Sequence, residues 1–177
     1  MLLWHLGATI AFTRYAFRDE RMDLRFLMLG AIVADLIDTP IGFLFWDQFH
    51  NVRLVAHSLL FGASLMVVVV LATRRGRPRK QWMPVAIGVL MHLFLDAMWQ
   101  EPNTLWWPFL GWALTDTGFA TASQYLRSIL TDWRTWALEA VGLAYLVFLA
   151  ARSGMSDPTQ RRVFLTTGRV AAPIDDR

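Results

Sequence analysis

Five runs of apolar residues divide the chain, and each predicts a helix. The first is Leu2 to about Phe17, short for a membrane span and interrupted by Arg14. The second runs from Leu24 to Trp46 and the third from about Val52 to Thr73. The fourth runs from Trp82 to Trp99 and the fifth from Trp133 to Ala151. A bilayer core of about 30 Å takes about 20 apolar residues in a helix. Runs two, three and five meet that length, whereas one and four are marginal. Residues 100–132 carry Trp106-Trp107-Pro108 and Trp112, which predict an interfacial or re-entrant stretch. Residues 153–177 mix Gly, Pro and charge, and predict a soluble, poorly ordered tail. The expected fold is all-α: an integral membrane helical bundle of about four to five transmembrane helices over residues 1–152, followed by the tail 153–177.

Composition narrows this further. Of 177 residues, 55% are apolar and 18% charged, against about 45–50% and 25% in an average soluble domain. The excess sits in the five runs, which excludes an ordinary soluble domain and extensive disorder. The absence of Cys excludes a disulfide scaffold. A net charge of +3 could suggest nucleic acid, but the basic residues fall between the apolar runs, so no nucleic-acid partner is expected. If five helices span, fourteen of the 17 Lys and Arg share one side of the membrane, and only Arg53, Arg127 and Arg134 lie on the other. The positive-inside bias then puts the N-terminus outside and the C-terminus in the cytoplasm, in a bacterial inner or plasma membrane. The first run has no basic flank and no small-residue cleavage site, so it reads as a retained helix and not a signal peptide.

The informative residues are the ionisable ones inside the runs: His5, Asp35, Asp38, His57, His92, Asp96 and Glu139. Each costs at least a few kcal/mol in a membrane unless it is paired or ligated. No Lys or Arg lies deep enough in the runs to pair with the three aspartates. Asp35 and Asp38 are three apart, and His92 and Asp96 four apart, so each pair shares one helix face. Pro40 should kink run two beside Asp38. With alternating chain direction, His5, Asp35, Asp38, His57, His92 and Asp96 fall in one layer, in the outer half of the bundle. Three carboxylates and three imidazoles suit a divalent transition metal: zinc, or alternatively manganese or iron. One ion leaves a charge of −1 and two leave +1, so one or two ions are compatible. Asp35 and Asp38 are also candidate catalytic carboxylates. Glu139, one turn into run five, is a candidate ligand or base, or simply favours that helix's N-terminus. Arg53 is a candidate clamp for a phosphate or carboxylate, or an interface anchor. Ser58 could orient His57 or only pack. His50 reads as a solvated loop residue.

His5, Asp35-Leu36-Ile37-Asp38, Arg53-Leu54-Val55-Ala56-His57-Ser58 and His92-Leu93-Phe94-Leu95-Asp96 together resemble the YdjM-like membrane-bound metal-dependent hydrolases, over about residues 1–100. The family's central motif usually reads His-Arg-Gly-x-x-His-Ser. Arg53, His57 and Ser58 match it, while Val52 and Leu54 replace its first His and its Gly. That family is distantly similar to the zinc-dependent phospholipases C, which carry a later His-x-x-x-Glu where this chain has Thr135-x-x-x-Glu139. The resemblance implies hydrolysis of a lipid phosphoester by metal-activated water, with His5, Asp35, Asp38, His57, His92 and Asp96 as ligands. The expected partners are membrane lipid and a lipid-like substrate; the oligomeric state stays open. Two other functions use the same residues: an ion or proton transporter, and a non-catalytic membrane scaffold with a structural metal.

Overall fold

A computed structural model describes residues 1–19 and 21–172. Glu20 and residues 173–177, with the end of the expected tail and Arg177 of the charge tally, lie outside the described residues. The regular elements among the described residues are helical. They are α1 (Leu2–Phe17), α2 (Leu24–Leu44), α3 (Trp46–Phe49), α4 (Leu59–Ala72), α5 (Arg77–Leu95), α6 (Pro102–Leu105), α7 (Ala122–Thr131), α8 (Trp133–Arg152) and α9 (Pro158–Thr167). Short 3-10 turns cover Val55–His57 and Met98–Gln100.

Side-chain caps explain where several helices begin. Asp23 accepts from Arg25 N at 3.1 Å, Ser58 from Phe61 N at 3.1 Å, and Asp132 from Arg134 N at 2.9 Å. Each satisfies a backbone donor that the first helical turn leaves orphaned. Ser58, expected to orient His57 or to pack, therefore starts α4.

Two pairs of helices pack through glycine. A Cβ added at Gly30 of α2 would stand 2.1 Å from Val85 O of α5, and one at Gly7 of α1 would stand 2.4 Å from Gly142 O of α8. Such backbone-to-backbone approach is how helices associate in lipid, where apolar bulk gives little preference for a neighbouring helix over an acyl chain. Phe26 meets Trp82 near the start of α2, and the His92 ring reaches Ala31 O further along it, so α2 and α5 run in parallel. Leu3 lies on Gly142 and Ile10 packs with Leu149, so α1 and α8 are parallel too. Gly62 lies on Leu90, while Arg79 reaches Val70 O and Thr73 O, so α4 runs against α5. The starts of α1, α4 and α8 therefore gather with the ends of α2 and α5.

The expected spans are revised. Helices α2 and α8 are long and apolar enough to cross a membrane. Run three is not one helix: residues 51–57 form a loop and a 3-10 turn, leaving 14 residues in α4, a rise of only about 21 Å. Helix α5 has 19 residues but opens with Arg77, Arg79 and Lys80. The tail also differs from expectation. Residues 158–167 form α9, held to the start of α2 by Leu24 N donating to Gly168 O at 2.9 Å and by Arg25 Nη1 donating to Leu165 O at 2.5 Å. Arg14 Nη2 donates to Ala172 O at 2.6 Å beside it. Periodicity could not reveal this helix, because none of its residues is buried.

Candidate metal centre

The bundle end where α2 and α5 finish collects four ligand-type side chains. Asp35, His57, His92 and Asp96 each offer one atom, and the four atoms lie within 4.8 Å of one another. The two imidazole Nε2 atoms face each other at 3.2 Å. Asp35 Oδ1 stands 3.4 Å from His57 Nε2 and 3.6 Å from His92 Nε2. Asp96 Oδ2 stands 3.8 and 3.9 Å from the same two atoms. Four donors at tetrahedral zinc bonds of about 2.0–2.1 Å stand about 3.3 Å apart, so the separations among Asp35, His57 and His92 suit a small divalent ion, while Asp96 stands slightly further off.

The second ring nitrogens fix the tautomers. His57 Nδ1 lies 2.8 Å from Asp38 Oδ2, and His92 Nδ1 lies 2.7 Å from Ala31 O. Both partners are acceptors, so both Nδ1 atoms carry a proton, and in the neutral ring each Nε2 presents a lone pair. Two lone pairs at 3.2 Å, flanked by two carboxylates, repel unless a metal ion or a proton lies among them. That is the arrangement of metal-binding histidines, in which a carboxylate or carbonyl holds the far nitrogen.

The expected residues fall into two groups. Asp38 lies behind His57: its Oδ2 also accepts from Leu54 N at 2.8 Å and from His57 N at 3.0 Å, and it is not among the four clustered side chains. It braces the loop and the ring. His5 lies beside the four, its ring stacked on His92 with centroids 4.3 Å apart. Its Nδ1 contacts Met1 O, and its Nε2 is 2.9 Å from Asp96 Oδ1. That Nε2 is buried and stands against a carboxylate oxygen without a hydrogen bond of good geometry. Glu139, expected as a ligand or base or as a charge at a helix N-terminus, accepts from Leu3 N at 2.9 Å and caps α1. His50 is a left-handed loop residue whose backbone O accepts from Thr117.

Arg53 corrects the expectation that no cation reaches the aspartates. Its Nε donates to Asp96 Oδ2 and its Nη1 to Glu101 Oε1, both at 2.7 Å. Burial opposes its charge, but Asp96 and Glu101 more than offset this and push its pKa up. The partners of Asp35 and Asp38 are histidines. Asn51 holds the network in place: its Oδ1 accepts from Arg53 N at 2.9 Å, and its Nδ2 donates to Glu101 Oε2 at 3.2 Å and to Thr115 O at 2.9 Å. Sequence reasoning missed Asn51, Glu101 and Tyr125. The available signal was Glu101 following Asp96 by five residues, on the side of the membrane that holds Arg53. Tyr125 of α7 packs on Trp46 and Val52 beside the site, and burial raises the pKa of its phenol. A cleft of about 740 Å³ reaches the centre, with Asp35, Arg53 and Asp96 in its wall.

The chain belongs to the YdjM inner membrane protein family, whose sequence model matches residues 4–157. No curated protein and no solved structure matches it. The family description and the two long apolar helices agree with a protein of the membrane.

Proposed function

We infer that this is a metal-dependent hydrolase of the membrane that cleaves a lipid phosphoester. The observation that carries the reading is the pair of Nε2 lone pairs of His57 and His92, converging with Asp35 and Asp96 in the wall of an open cleft. The donor set suits zinc, with manganese or iron as alternatives. His57, His92, Asp35 and Asp96 would hold one ion, and His5 with the second oxygen of Asp96 offers donors towards another. When bound, such an ion makes hydroxide available near neutral pH and neutralises charge on a phosphoryl oxygen. Asp38 and Ala31 O keep both imidazoles in the ligating tautomer. Arg53 and Glu101 fix the plane of the Asp96 carboxylate. In the overall reaction water adds to phosphorus, the P–O bond to the alcohol breaks, and the alcohol leaves with a proton. Access from the cleft favours catalysis over a closed structural site, since a closed site would have no open position for substrate.

Five helices, α1, α2, α4, α5 and α8, would cross or line the bilayer, with the shorter ones packed against α2 and α8. The charge bias supports an outward site and a cytoplasmic α4–α5 turn. Single-Cys labelling tests the orientation, because the chain has no Cys. An impermeant thiol reagent added to intact cells should label Ser123→Cys and spare Arg75→Cys; the reverse pattern would overturn it. The function itself is tested on protein purified in mild detergent. Bound transition metal, turnover of a phosphoester lipid, and loss of turnover by orders of magnitude in Asp96→Asn without loss of folded protein are expected. Metal-loaded protein that cleaves no phosphoester, ester or amide lipid would point to the scaffold. A metal-free protein with no gain in stability on adding zinc or manganese would remove the metal reading.

A further inference from the structure

The cleft is a groove that follows one face of α2. Its α2 wall runs from Ile32 to Phe43, roughly 16 Å at 1.5 Å per residue. That is about half the thickness of a bilayer core. Asp35 stands one turn from the Ile32 end, so the metal-type cluster divides the groove unequally. On the Ile32 side the wall is apolar. On the Phe43 side, beside the apolar Phe43, Leu126 and Ile129, it includes Thr39 of α2, Ser128 of α7, Asp132 at the N-cap of α8 and Thr135 of α8.

The rim is unusual for a site entered from water. Leu36 is 64% exposed, Leu2 53% and Leu126 45%, and all three line the groove. Leu36 is on α2, one of the two helices long and apolar enough to span. Its outward face therefore belongs to the lipid-facing side, and the groove opens there. A polar group reaching Asp35 and Asp96 through this mouth must bring an apolar companion past Leu36.

We propose that the groove seats one membrane amphiphile, with its apolar chain leaving past Ile32 and Leu36 into the bilayer, its reacting group at Asp35 and Asp96, and its polar head among Thr39, Ser128, Asp132 and Thr135. The inference rests on the hydrolytic reading and adds the substrate's shape: a hydrolysable bond at the junction of one apolar chain and a hydroxyl- or amine-bearing head. Asp132 on the head side favours a neutral or cationic head over a second phosphate, because Arg53 is already engaged by Asp96 and Glu101. The chain enters sideways from the membrane, so chain and head are read by different residues.

Leu36→Trp narrows the mouth at an exposed position, where folding tolerates bulk. Two substrates are compared on wild type and variant: bis(p-nitrophenyl) phosphate, which has no chain, and a long-chain p-nitrophenyl phosphodiester in lipid nanodiscs. The ratio of kcat/KM for the chained over the chainless ester should fall about tenfold or more in the variant, through KM. Equal changes for both substrates would overturn the proposal. If neither ester is cleaved by wild type, the hydrolytic reading fails by itself and the groove is tested separately. A doxyl-labelled single-chain phospholipid should then show a motionally restricted spectrum with wild type that Leu36→Trp removes. The same restricted fraction in both proteins would overturn the groove.

Discussion

At the basic end of the bundle, arginine donors meet acceptors. Arg79 donates to Val70 O and Thr73 O at the close of α4, and Arg25 donates to Leu165 O in the last turn of α9. These carbonyls have no partner within their own helix, and a cation there also suits the helix dipole. At the other end, acceptors meet acceptors. The Nε2 lone pairs of His57 and His92 face each other and two carboxylates, and His5 Nε2 faces Asp96. The first end is satisfied by the chain itself. At the second, Arg53 answers Asp96 and Glu101, and the facing ring nitrogens are balanced by a further cation, a metal ion or a proton. Charge alone does not separate these ends, because both are rich in ionisable groups; the sense of the hydrogen bonds does.

The largest expected effect comes from removing a lone pair. His92→Ala should abolish stoichiometric metal binding and lower any metal-dependent turnover at least about a hundred-fold, since the cluster loses a donor at its centre. Arg14→Ala, at the opposite end, should leave metal content as it is and loosen only the chain around Ala172. Elemental analysis of both variants checks this. Retained metal in His92→Ala would erase the distinction between the ends.

A smaller effect is expected behind the ligands. Asp38→Asn keeps an acceptor oxygen for the loop but removes the charge that fixes the His57 tautomer. The Kd for zinc should rise about 10–100-fold, the usual cost of losing such a partner. Competition against a chelator of known affinity measures it. A loss as complete as that of His92→Ala would mean that Asp38 is itself a ligand.

Much of this was legible in the sequence. His5, Asp35, Asp38, His57, His92 and Asp96 do share one end of the bundle, because alternating helix direction is enough to put them in a layer. What spacing could not give was the order within that layer. Asp35 and Asp38 lie on one helix face, yet only Asp35 reaches the cluster, because the loop carrying Leu54 and His57 wraps over Asp38. Glu101 was hidden because its partner Arg53 is 48 residues away. Glu139 was ambiguous, since a carboxylate in a first turn serves a ligand set and a neighbouring helix equally well on sequence alone. The break at residues 51–57 was masked by its own apolar residues, Val52, Leu54 and Val55, of which Val52 and Leu54 are buried in the protein and Val55 is exposed.

Helix packing joins the two ends, and its disruption should rank next. Gly7→Ala forces a methyl to 2.4 Å from the backbone of α8 at Gly142. Backbone cannot rotate away as a side chain can, so α1 must shift, at a cost of about 1–3 kcal/mol. Thermal unfolding in detergent should show the loss. His5 is carried by α1, so its contact with Asp96 should weaken, while Asp35, His57 and His92 are carried by other elements and should keep their metal. Loss of all bound metal in folded Gly7→Ala would mean that the centre depends on α1 as much as on α2 and α5.

The smallest expected effect separates two roles for one carboxylate. Glu139 Oε2 accepts from Leu3 N, and the charge sits at the start of α1, where exposed amide donors favour an anion. Glu139→Gln keeps an acceptor oxygen and removes only that charge. Stability should fall by about 0.3–1 kcal/mol, with metal content and turnover nearly those of the parent, because Glu139 is not one of the four clustered side chains. A general base or a ligand would behave otherwise: amide substitution would lower turnover by orders of magnitude at unaltered stability. Measuring melting temperature and turnover on the same sample therefore decides between a helix cap and a chemical group. A small loss of stability with turnover intact assigns Glu139 to the part of the bundle that holds α1, and through it His5, in position.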